Sequence, residues 1–538
     1  MKTFFKVIVV FFFTTVCSQA QEQGKYFSKK QYVKQDLPEF SAMRSKLPAP
    51  IYDQDSTFVE SYWKTWELAF KNFHEPTAEN GFVSQYIDAA FNSNIFLWDS
   101  GFMTMFCNYG HPFVPGISTL DNFYAKQFAD GEISREYNRT TGQIFSAWQN
   151  KENKSLFSRY GTRYLGKSWD VEYIGKETPK PNPILTLDAL NHPILAWAEL
   201  ESYRITGDKE RLESVFEPLV QYYRACRKYL EQGNGLYLTD WAGMDDSPRN
   251  DYLTGGGTAV DISSEMVLFA RNLSEIASIL KRSDESRKFE KEAEAMTKRI
   301  NQLMWDEKSN FYFDLTVRGN AIPVKSISGF WPMLAQVSSK SQAAKLVDEL
   351  ENKETFNRAH RVPTLAADQK GFNQKGYWTG GVWSPTNTMI IRGLEKYGYD
   401  SLAHAIAMNH LENVTKVYLE TGTYWENYAT DSLTRGAQSV KDFVGWTGIA
   451  PIMYLIEYAI GLKPDATKNE LVWNITSSKR CGMKNLRFNG RTTTLIAVPS
   501  DNGLTVNVAS DGFYNLKIKY KGIVIIKKIK QGKNFLKM

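Results

Sequence analysis

Cysteine is scarce in this sequence, with only four among 538 residues. One of them, Cys17, lies in the apolar N-terminal segment. The other three (Cys107, Cys226 and Cys481) have no paired spacing, which excludes a disulfide-rich scaffold and a cysteine zinc site. The six histidines are scattered, and no His/Asp/Glu cluster has metal-ligand spacing. No metal and no other cofactor is therefore expected. His192 starts a helix before Pro193 and could face a binding cleft, but a packed or solvent-exposed side chain is the favoured interpretation.

Long apolar runs are also lacking. After residue 20 no segment approaches 18 uninterrupted apolar residues, so no membrane-spanning helix is expected. Residues 1–20 are typical of a secretory signal peptide, with two lysines, the apolar run 7–13 and the cleavage sequence SQA at 18–20. Lipid attachment at Cys17 is less favoured, because Val16 is bulkier than a lipidation sequence usually accepts. The predicted location is periplasmic or secreted.

Several short functional signatures are missing as well. The sequence contains no nucleophile elbow, no glycine-rich loop in a strand–helix setting and no RNA-recognition signature, so no nucleic-acid partner is expected. The formal net charge is only +6, and much of it lies in residues 517–538, KIKYKGIVIIKKIKQGKNFLKM. A solvated basic edge is the favoured interpretation, although an anionic polysaccharide would also suit this charge.

Aromatic residues, in contrast, are abundant. They make up 14% of the chain and include 14 Trp and 28 Tyr, which is more than packing alone usually needs. Because aromatic faces stack on sugar rings, the composition favours a carbohydrate ligand. A large helical core is the alternative explanation.

The organisation of the chain follows from its apolar periodicity. From about residue 57 to 462 apolar residues recur every three or four positions, which predicts helix after helix. The helices form pairs of roughly 40 residues, separated by loops rich in aromatic residues, Gly and Pro. About ten to twelve helices in antiparallel pairs favour an (α/α)6 toroid barrel, although an α-solenoid is compatible with the same pairing.

The period changes near the C-terminus. From about residue 468 the chain has short alternating or β-branched runs with Gly, Asn and Asp at turns, which predict a small antiparallel β-domain. The protein is thus predicted to be mainly α. Its expected parts are a signal peptide (1–20), an N-terminal lead-in (21–56), a catalytic barrel (57–465) and a C-terminal β-domain (468–538).

Two carboxylates stand in aromatic surroundings, on loops between helix pairs. Asp245 lies in WAGMDDSPRNDY, and Glu426 lies in TYWENYATD. If the loops open on one face of a toroid, both carboxylates reach the same cleft. An inverting glycosidase needs one carboxylic acid to protonate the leaving oxygen, and a carboxylate roughly 6.5–9.5 Å away to deprotonate a water molecule. Asp246 is an alternative to Asp245, because burial decides between them, but Asp245 is favoured.

A resemblance sharpens this hypothesis. The segments WAGMDDSPRN, GYWTGGVWSPTNTMIIRGL and WENY followed by FVGWTG are similar to motifs of the trehalase and processing-α-glucosidase group of inverting glycosidases. FLWDSGFMTMF (96–106) resembles a substrate-binding strip of the same group. The likeness covers most of residues 90–460, with the motifs in the expected order. It is closest to bacterial processing-glucosidase-like and mannosylglycerate-hydrolase-like members.

The resemblance implies roles for individual residues. Asp245 becomes the general acid and Glu426 the general base. The other residues that it places in the sugar pocket, or beside it, are Trp98, Asp99, Arg249, Trp378, Gly380, Trp383 and Trp446. Arg135 and Glu136, in the loop DGEISREY, are further candidates for gripping a sugar, with a local salt bridge as the alternative interpretation.

Departures from the group's pattern concern the sugar contacts. FNSNIF stands where trehalases have a Gly-Gly-Arg-Phe run, which argues against trehalose as the substrate. Thr379 and Gly381 stand where Arg and Pro are common, and Ala242-Gly243 replace a polar contact before Met244. The acid/base pair survives, but the identity of the substrate is not inherited.

The sequence thus favours an exported inverting glycoside hydrolase that acts on an α-linked oligosaccharide or polysaccharide fragment, neutral or anionic. Two alternatives remain. The first is a lyase or other elimination enzyme on glycans that contain uronic acid, with Arg135 and Arg249 holding the sugar carboxylate in the same cleft. The second is a non-catalytic glycan-binding protein that retains the cleft.

Overall fold

The computed structural model describes residues 23–28, 30–143, 192–238, 244–253, 257–501 and 503–538. The predicted signal peptide, Cys17 and residues 239–243 of the first carboxylate loop lie outside these ranges. Within them, none of the helices combines the length and the apolar character that crossing a bilayer requires.

Helices dominate the first part of the described chain. Their bounds are α1 Phe40–Met43, α2 Ser56–Ala69, α3 Leu97–Cys107, α4 Thr119–Ala125, α5 Leu195–Thr206, α6 Lys209–Leu230, α7 Asn250–Leu253, α8 Val260–Ile279, α9 Ser283–Leu303, α10 Trp331–Leu334, α11 Lys340–Glu351, α12 Ser384–Lys396, α13 Asp400–Thr421 and the π-helix α14 Ile449–Ile460.

Local signals explain several helix ends. Gly207 ends α5 with a positive φ of 70°, and the side chain of Asp208 then accepts the backbone N–H of Arg211 to cap α6. The break between the two helices thus coincides with a Gly-Asp pair in the sequence. Ser339 and Gln342 form a reciprocal capping box at the start of α11.

Six helices are buried on nearly all sides: α3, α5, α8, α10, α12 and α14. In this order each contacts the next, and α14 contacts α3 again. The amphipathic helices α6, α9 and α13 pack against them and turn their polar sides to solvent. A helix that is buried on nearly all sides needs neighbours that face the solvent in its place. The longer amphipathic helices provide this cover.

The strands are β1 Ala49–Tyr52, β2 Phe73–His74, β3 Tyr86–Ile87, β4 Asn94–Phe96, β5 Glu136–Asn138, β6 Trp305–Asp306, β7 Phe311–Tyr312, β8 Leu462–Asp465, β9 Glu470–Ile475, β10 Cys481–Phe488, β11 Arg491–Ser500, β12 Gly503–Ser510, β13 Tyr514–Tyr520, β14 Ile523–Ile529 and β15 Gly532–Lys537. The C-terminal strands form a five-stranded sheet, β1-β10-β11-β12-β15, and a four-stranded sheet, β14-β13-β9-β8.

These two sheets differ from the expected β-domain in two ways. β13 and β9 run parallel, so the prediction of a wholly antiparallel domain is wrong for this pair. The edge strand β1 comes from the N-terminal lead-in and pairs with β10, with Ala49 opposite Lys484. The sheets face each other, since Thr493 Oγ1 lies 2.9 Å from the Tyr514 hydroxyl.

Candidate active site

One cleft collects most of the residues that the sequence singles out. It has about 790 Å³ of space free of protein atoms, including the solvent at its mouth. The residues that line it are Phe91, Phe96, Trp98, Asp99, Arg135, His192, Met244, Asp245, Tyr377, Trp378, Trp383, Glu426 and Trp446.

The lining residues come from chain segments that lead into the buried helices. Trp98 and Asp99 occupy the first turn of α3, and His192 precedes α5. Trp383 directly precedes α12, and Trp446 lies in the 3₁₀ turn before α14. The cleft therefore lies at the N-terminal ends of these helices.

Glu426 is nearly fully buried at the base of the cleft. The Tyr377 hydroxyl donates a short hydrogen bond to its Oε1, and the Val440 N–H lies 3.3 Å from its Oε2. Burial raises the pKa of Glu426 to about 7, whereas these two donors oppose the rise, and the charge of Asp245 adds a smaller upward contribution. A carboxyl group with this pKa exchanges protons near neutral pH.

Asp245 is exposed and lines the cleft, in the turn that precedes α7. Its neighbour Asp246 is engaged elsewhere, because the Trp378 backbone N–H donates to Asp246 Oδ1 at 2.6 Å. Asn250 Nδ2 holds the turn by donating to the carbonyl oxygens of Met244 and Asp245, at 2.7 and 3.2 Å. Of the two adjacent aspartates, Asp245 is therefore the one that faces the cleft.

Four tryptophans form one continuous aromatic cluster in the wall. The rings of Trp378 and Trp383 are stacked, with centroids 4.2 Å apart and planes within 10°. Trp446 lies 5.5 Å from Trp383 and 5.8 Å from Trp98, measured between ring centroids. Trp446 Nε1 also donates to the Glu426 carbonyl oxygen at 2.8 Å, which ties the cluster to the carboxylate loop.

Asp99 and Arg135 lie on the same side of the cleft because β4 pairs with β5. Burial raises the pKa of Asp99 well above its usual value. Arg135 Nη2 forms a 2.7 Å ion pair with Glu136, which is itself fully buried and accepts Asn94 Nδ2 at 2.8 Å. The local salt bridge is thus present. Arg135 lines the cleft, whereas Glu136 does not and instead holds the arginine in place.

Two other predicted contacts are not among the lining residues. Arg249 is fully buried and pairs with Asp261 at 2.6 Å and with Asp314 at 3.4 Å. Its guanidinium therefore anchors the segment that carries Asp245 to the protein interior. Gly380 has φ +147°, and an added Cβ would lie 2.4 Å from the Asn373 carbonyl oxygen. Glycine is required there for a tight backbone approach, which shapes the loop that carries Trp378 and Trp383.

The sequence interpretation missed several lining residues, chiefly Tyr377. Tyr377 directly precedes Trp378 in the motif GYWTGG, and this adjacency was the available signal. His192 is packed, as expected, but it also lines the cleft. Its Nδ1 lies 2.6 Å from Glu265, which accepts Trp331 Nε1 at 3.0 Å. Phe96 and Met244 lie inside the quoted motifs but were given no role, and Phe91 lies just before the first of them.

Comparisons with known proteins place these residues in context. A family model described as a mannosylglycerate hydrolase MGH1-like glycoside hydrolase domain matches residues 125–432, which include both carboxylates. An uncharacterized protein of Borreliella burgdorferi is 25% identical to this chain over 88% of it and 95% of its own length. A mannosylglycerate hydrolase of Thermus thermophilus is 32% identical over 22% of this chain and 29% of that protein.

A solved structure shares the fold. The GH63 mannosylglycerate hydrolase from Thermus thermophilus, in complex with Tris and D-glycerate, aligns with 73% of this chain and 99% of its own. The TM-score is 0.54 and the sequence identity is 18%.

Proposed function

The chain belongs to the mannosylglycerate hydrolase MGH1-like glycoside hydrolase family, and on that premise we propose that it is an exported enzyme that hydrolyses an α-linked glycan. The family match and the similarity to a mannosylglycerate hydrolase confirm the resemblance drawn from the motifs and identify a glycoside hydrolase of the inverting type. The substrate is an oligosaccharide or a polysaccharide fragment, and no cofactor takes part.

In the proposed mechanism two carboxyl groups act from opposite sides of the scissile bond. Asp245 protonates the leaving oxygen, and ionised Glu426 removes a proton from the water that attacks the anomeric carbon. The observation that carries this assignment is that both side chains line the same tryptophan-walled cleft. After product release, Asp245 takes up a proton and Glu426 releases one to solvent.

The surroundings of Glu426 suit a general base. The Tyr377 hydroxyl and the Val440 N–H both donate to its carboxylate, and such donors favour the ionised form. Asp245 is exposed at the cleft, where a bound sugar displaces the water around it. As the general acid, Asp245 transfers its proton to the leaving oxygen of that sugar.

Burial of Glu426 taken alone supports the reverse assignment, in which Glu426 is the acid and Asp245 the base. We favour Asp245 as the acid because of the family motifs, the two hydrogen-bond donors to Glu426 and the solvent access of Asp245. The two assignments predict opposite responses of the Asp245 and Glu426 variants to a change of leaving group.

The (α/α)6 toroid is part of the proposal. Its support is the circuit of buried helices in which α14 returns to contact α3. Cleft residues at the N-terminal ends of these helices then lie at one end of the barrel. We keep the predicted domain division, with the catalytic barrel before the C-terminal strands. The proposed export rests on the signal-like sequence of residues 1–20.

The elimination alternative loses part of its support. It used Arg135 and Arg249 together to hold a sugar carboxylate, but Arg249 is enclosed with Asp261 and Asp314. Arg135 already pairs with Glu136.

Product analysis provides the direct test. Purified protein is incubated with neutral and acidic α-linked oligosaccharides, and the products are followed by mass and by the NMR signal of the anomeric proton. We expect a cleaved glycan whose new reducing end first appears as the β-anomer. An initial α-anomer would contradict inversion, and an unsaturated product absorbing in the ultraviolet would indicate elimination.

Tyr377 offers a prediction about pH dependence. Its hydrogen bond lowers the pKa of Glu426, so the variant Tyr377→Phe has a higher Glu426 pKa. The base must be ionised, and activity is therefore lost as pH falls through this pKa. We expect the acidic limb of the kcat/KM profile to lie near pH 7 in the parent and to move upward by about one pH unit in the variant.

The matched control is Tyr397→Phe, whose hydroxyl donates to the Ser338 carbonyl oxygen and does not line the cleft. Its acidic limb should coincide with that of the parent. If Tyr377→Phe lowered kcat/KM at all pH values without shifting the acidic limb, Tyr377 would not be setting the pKa of Glu426.

A further inference from the structure

The β13–β14 hairpin carries an exposed surface that the glycosidase function does not use. Strand β14 is the edge of the four-stranded sheet. Its side chains Ile523, Val524 and Ile526 are 56%, 53% and 61% exposed. Edge strands commonly carry lysine to prevent pairing with other chains, but that purpose does not call for exposed aliphatic residues.

Lysines and aliphatic side chains alternate across one face of this hairpin. In the register of the pair, Lys517 lies opposite Ile526 and Lys519 opposite Val524. Because side chains alternate along a strand, Val524, Ile526 and Lys528 share the face of Lys517 and Lys519. We call these five residues, with the strand-edge residues Lys521, Ile523 and Lys527, the basic–apolar edge.

The charge of this surface has one sign. Residues 513–538 contain eight lysines and no Asp or Glu. Among the ion pairs of the described residues, the basic–apolar edge contributes only Lys519 with Asp400, at 4.0 Å. Glu470 of β9 lies opposite Asn515 at the inner border of the face. Lys521, Lys527 and Lys528 are exposed beside the aliphatic side chains, and Lys517 is half-buried.

We propose that the basic–apolar edge docks the enzyme reversibly on the surface of an anionic lipid bilayer. Lysines near an anionic leaflet gain electrostatic energy, and neighbouring aliphatic side chains enter the boundary between headgroups and acyl chains. A polyanionic glycan would explain the lysines but not the aliphatic residues, because Ile and Val have no ring to stack on a sugar. The occupant that satisfies both features is a lipid surface with negative headgroups.

The test is co-sedimentation of the full chain with vesicles at about 0.1 M salt. One set contains equal parts of phosphatidylglycerol and phosphatidylcholine, and the other contains phosphatidylcholine alone. We expect the parent to sediment with the anionic vesicles and to stay in solution with the neutral ones. Lys527→Gln/Lys528→Gln and Val524→Ser/Ile526→Ser should each lower the partition coefficient by about tenfold or more.

Matched controls separate this surface from general effects. Lys288→Gln/Lys291→Gln removes two exposed charges from α9, and Val317→Ser changes an exposed valine outside the sheets. Both controls should bind vesicles like the parent, and all variants should keep the parent's thermal midpoint and glycosidase activity. Every protein carries the same residues 1–22, so their contribution is equal in all arms.

Three outcomes would overturn the proposal. The parent could stay in solution with both vesicle types, or the edge variants could bind as well as the parent. The third is that only Lys527→Gln/Lys528→Gln loses binding, while Val524→Ser/Ile526→Ser binds anionic vesicles and dextran sulfate like the parent, which would make the edge a polyanion site. Because activity is measured separately, failure of docking leaves the proposed hydrolysis intact.

Discussion

Replacing Glu426 by glutamine lowers kcat by about 10²–10⁴-fold, while the thermal midpoint stays close to that of the parent. Glutamine keeps the shape, because its amide oxygen can accept the Val440 N–H while its amide NH₂ donates to the Tyr377 hydroxyl oxygen. It cannot take a proton from water, so the attacking nucleophile is no longer activated. Burial already disfavours the charge of Glu426, and a neutral side chain at this position therefore should not weaken the fold.

The measurement is kcat on the α-linked substrate, beside a thermal unfolding curve for each protein. Asp431→Asn is the matched control, since Asp431 lies five residues further along the same loop region and its carboxylate pairs with Arg358 at 3.0 Å instead of lining the cleft. Its activity should stay within about twofold of the parent. If Glu426→Gln kept parental turnover, Glu426 would not be the base.

The local parts of this fold were predictable from sequence. Helices such as α6 and α13 follow from apolar periodicity, and the end of α13 at Gly422 follows from turn chemistry. The pairing of β1 with β10 was not predictable, because it joins residues more than 400 positions apart and no short pattern encodes such a partner. The parallel β9–β13 pair, with Asn515 opposite Glu470, also escaped prediction, because alternation within a strand does not reveal the direction of its partner.

The candidate site likewise has local features that the sequence predicts and long-range contacts that it does not. The aromatic surroundings of Asp245 and Glu426 could be read from neighbouring residues. The contact of Tyr377 with Glu426 depends on how two loops meet: Val382 and Tyr428 exchange backbone hydrogen bonds of 2.9 and 3.0 Å. Arg249 was misjudged because its partners, Asp261 and Asp314, come from separate segments that enclose it. The residues next to Arg249 in the sequence do not reveal that segments distant in the sequence bury it.

The variant Asp245→Asn tests which carboxyl group is the acid. With a sugar as the leaving group, we expect kcat/KM to fall by about 10²–10⁴-fold, because an alkoxide is expelled without a proton. With an activated aryl glycoside, such as a dinitrophenyl glycoside, we expect less than about a tenfold loss, since that phenolate departs unprotonated. Glu426→Gln should lose activity on both substrates, because every leaving group still requires activated water.

The comparison of two variants on two substrates separates the two assignments. If Glu426 were the acid and Asp245 the base, Glu426→Gln would be the variant rescued by the aryl leaving group. Asp246→Asn is the matched control for Asp245→Asn. Its amide oxygen can still accept the Trp378 N–H, so any loss should be small and equal on both substrates. A loss in Asp245→Asn that is equally large on both substrates would show that Asp245 does not protonate the leaving oxygen.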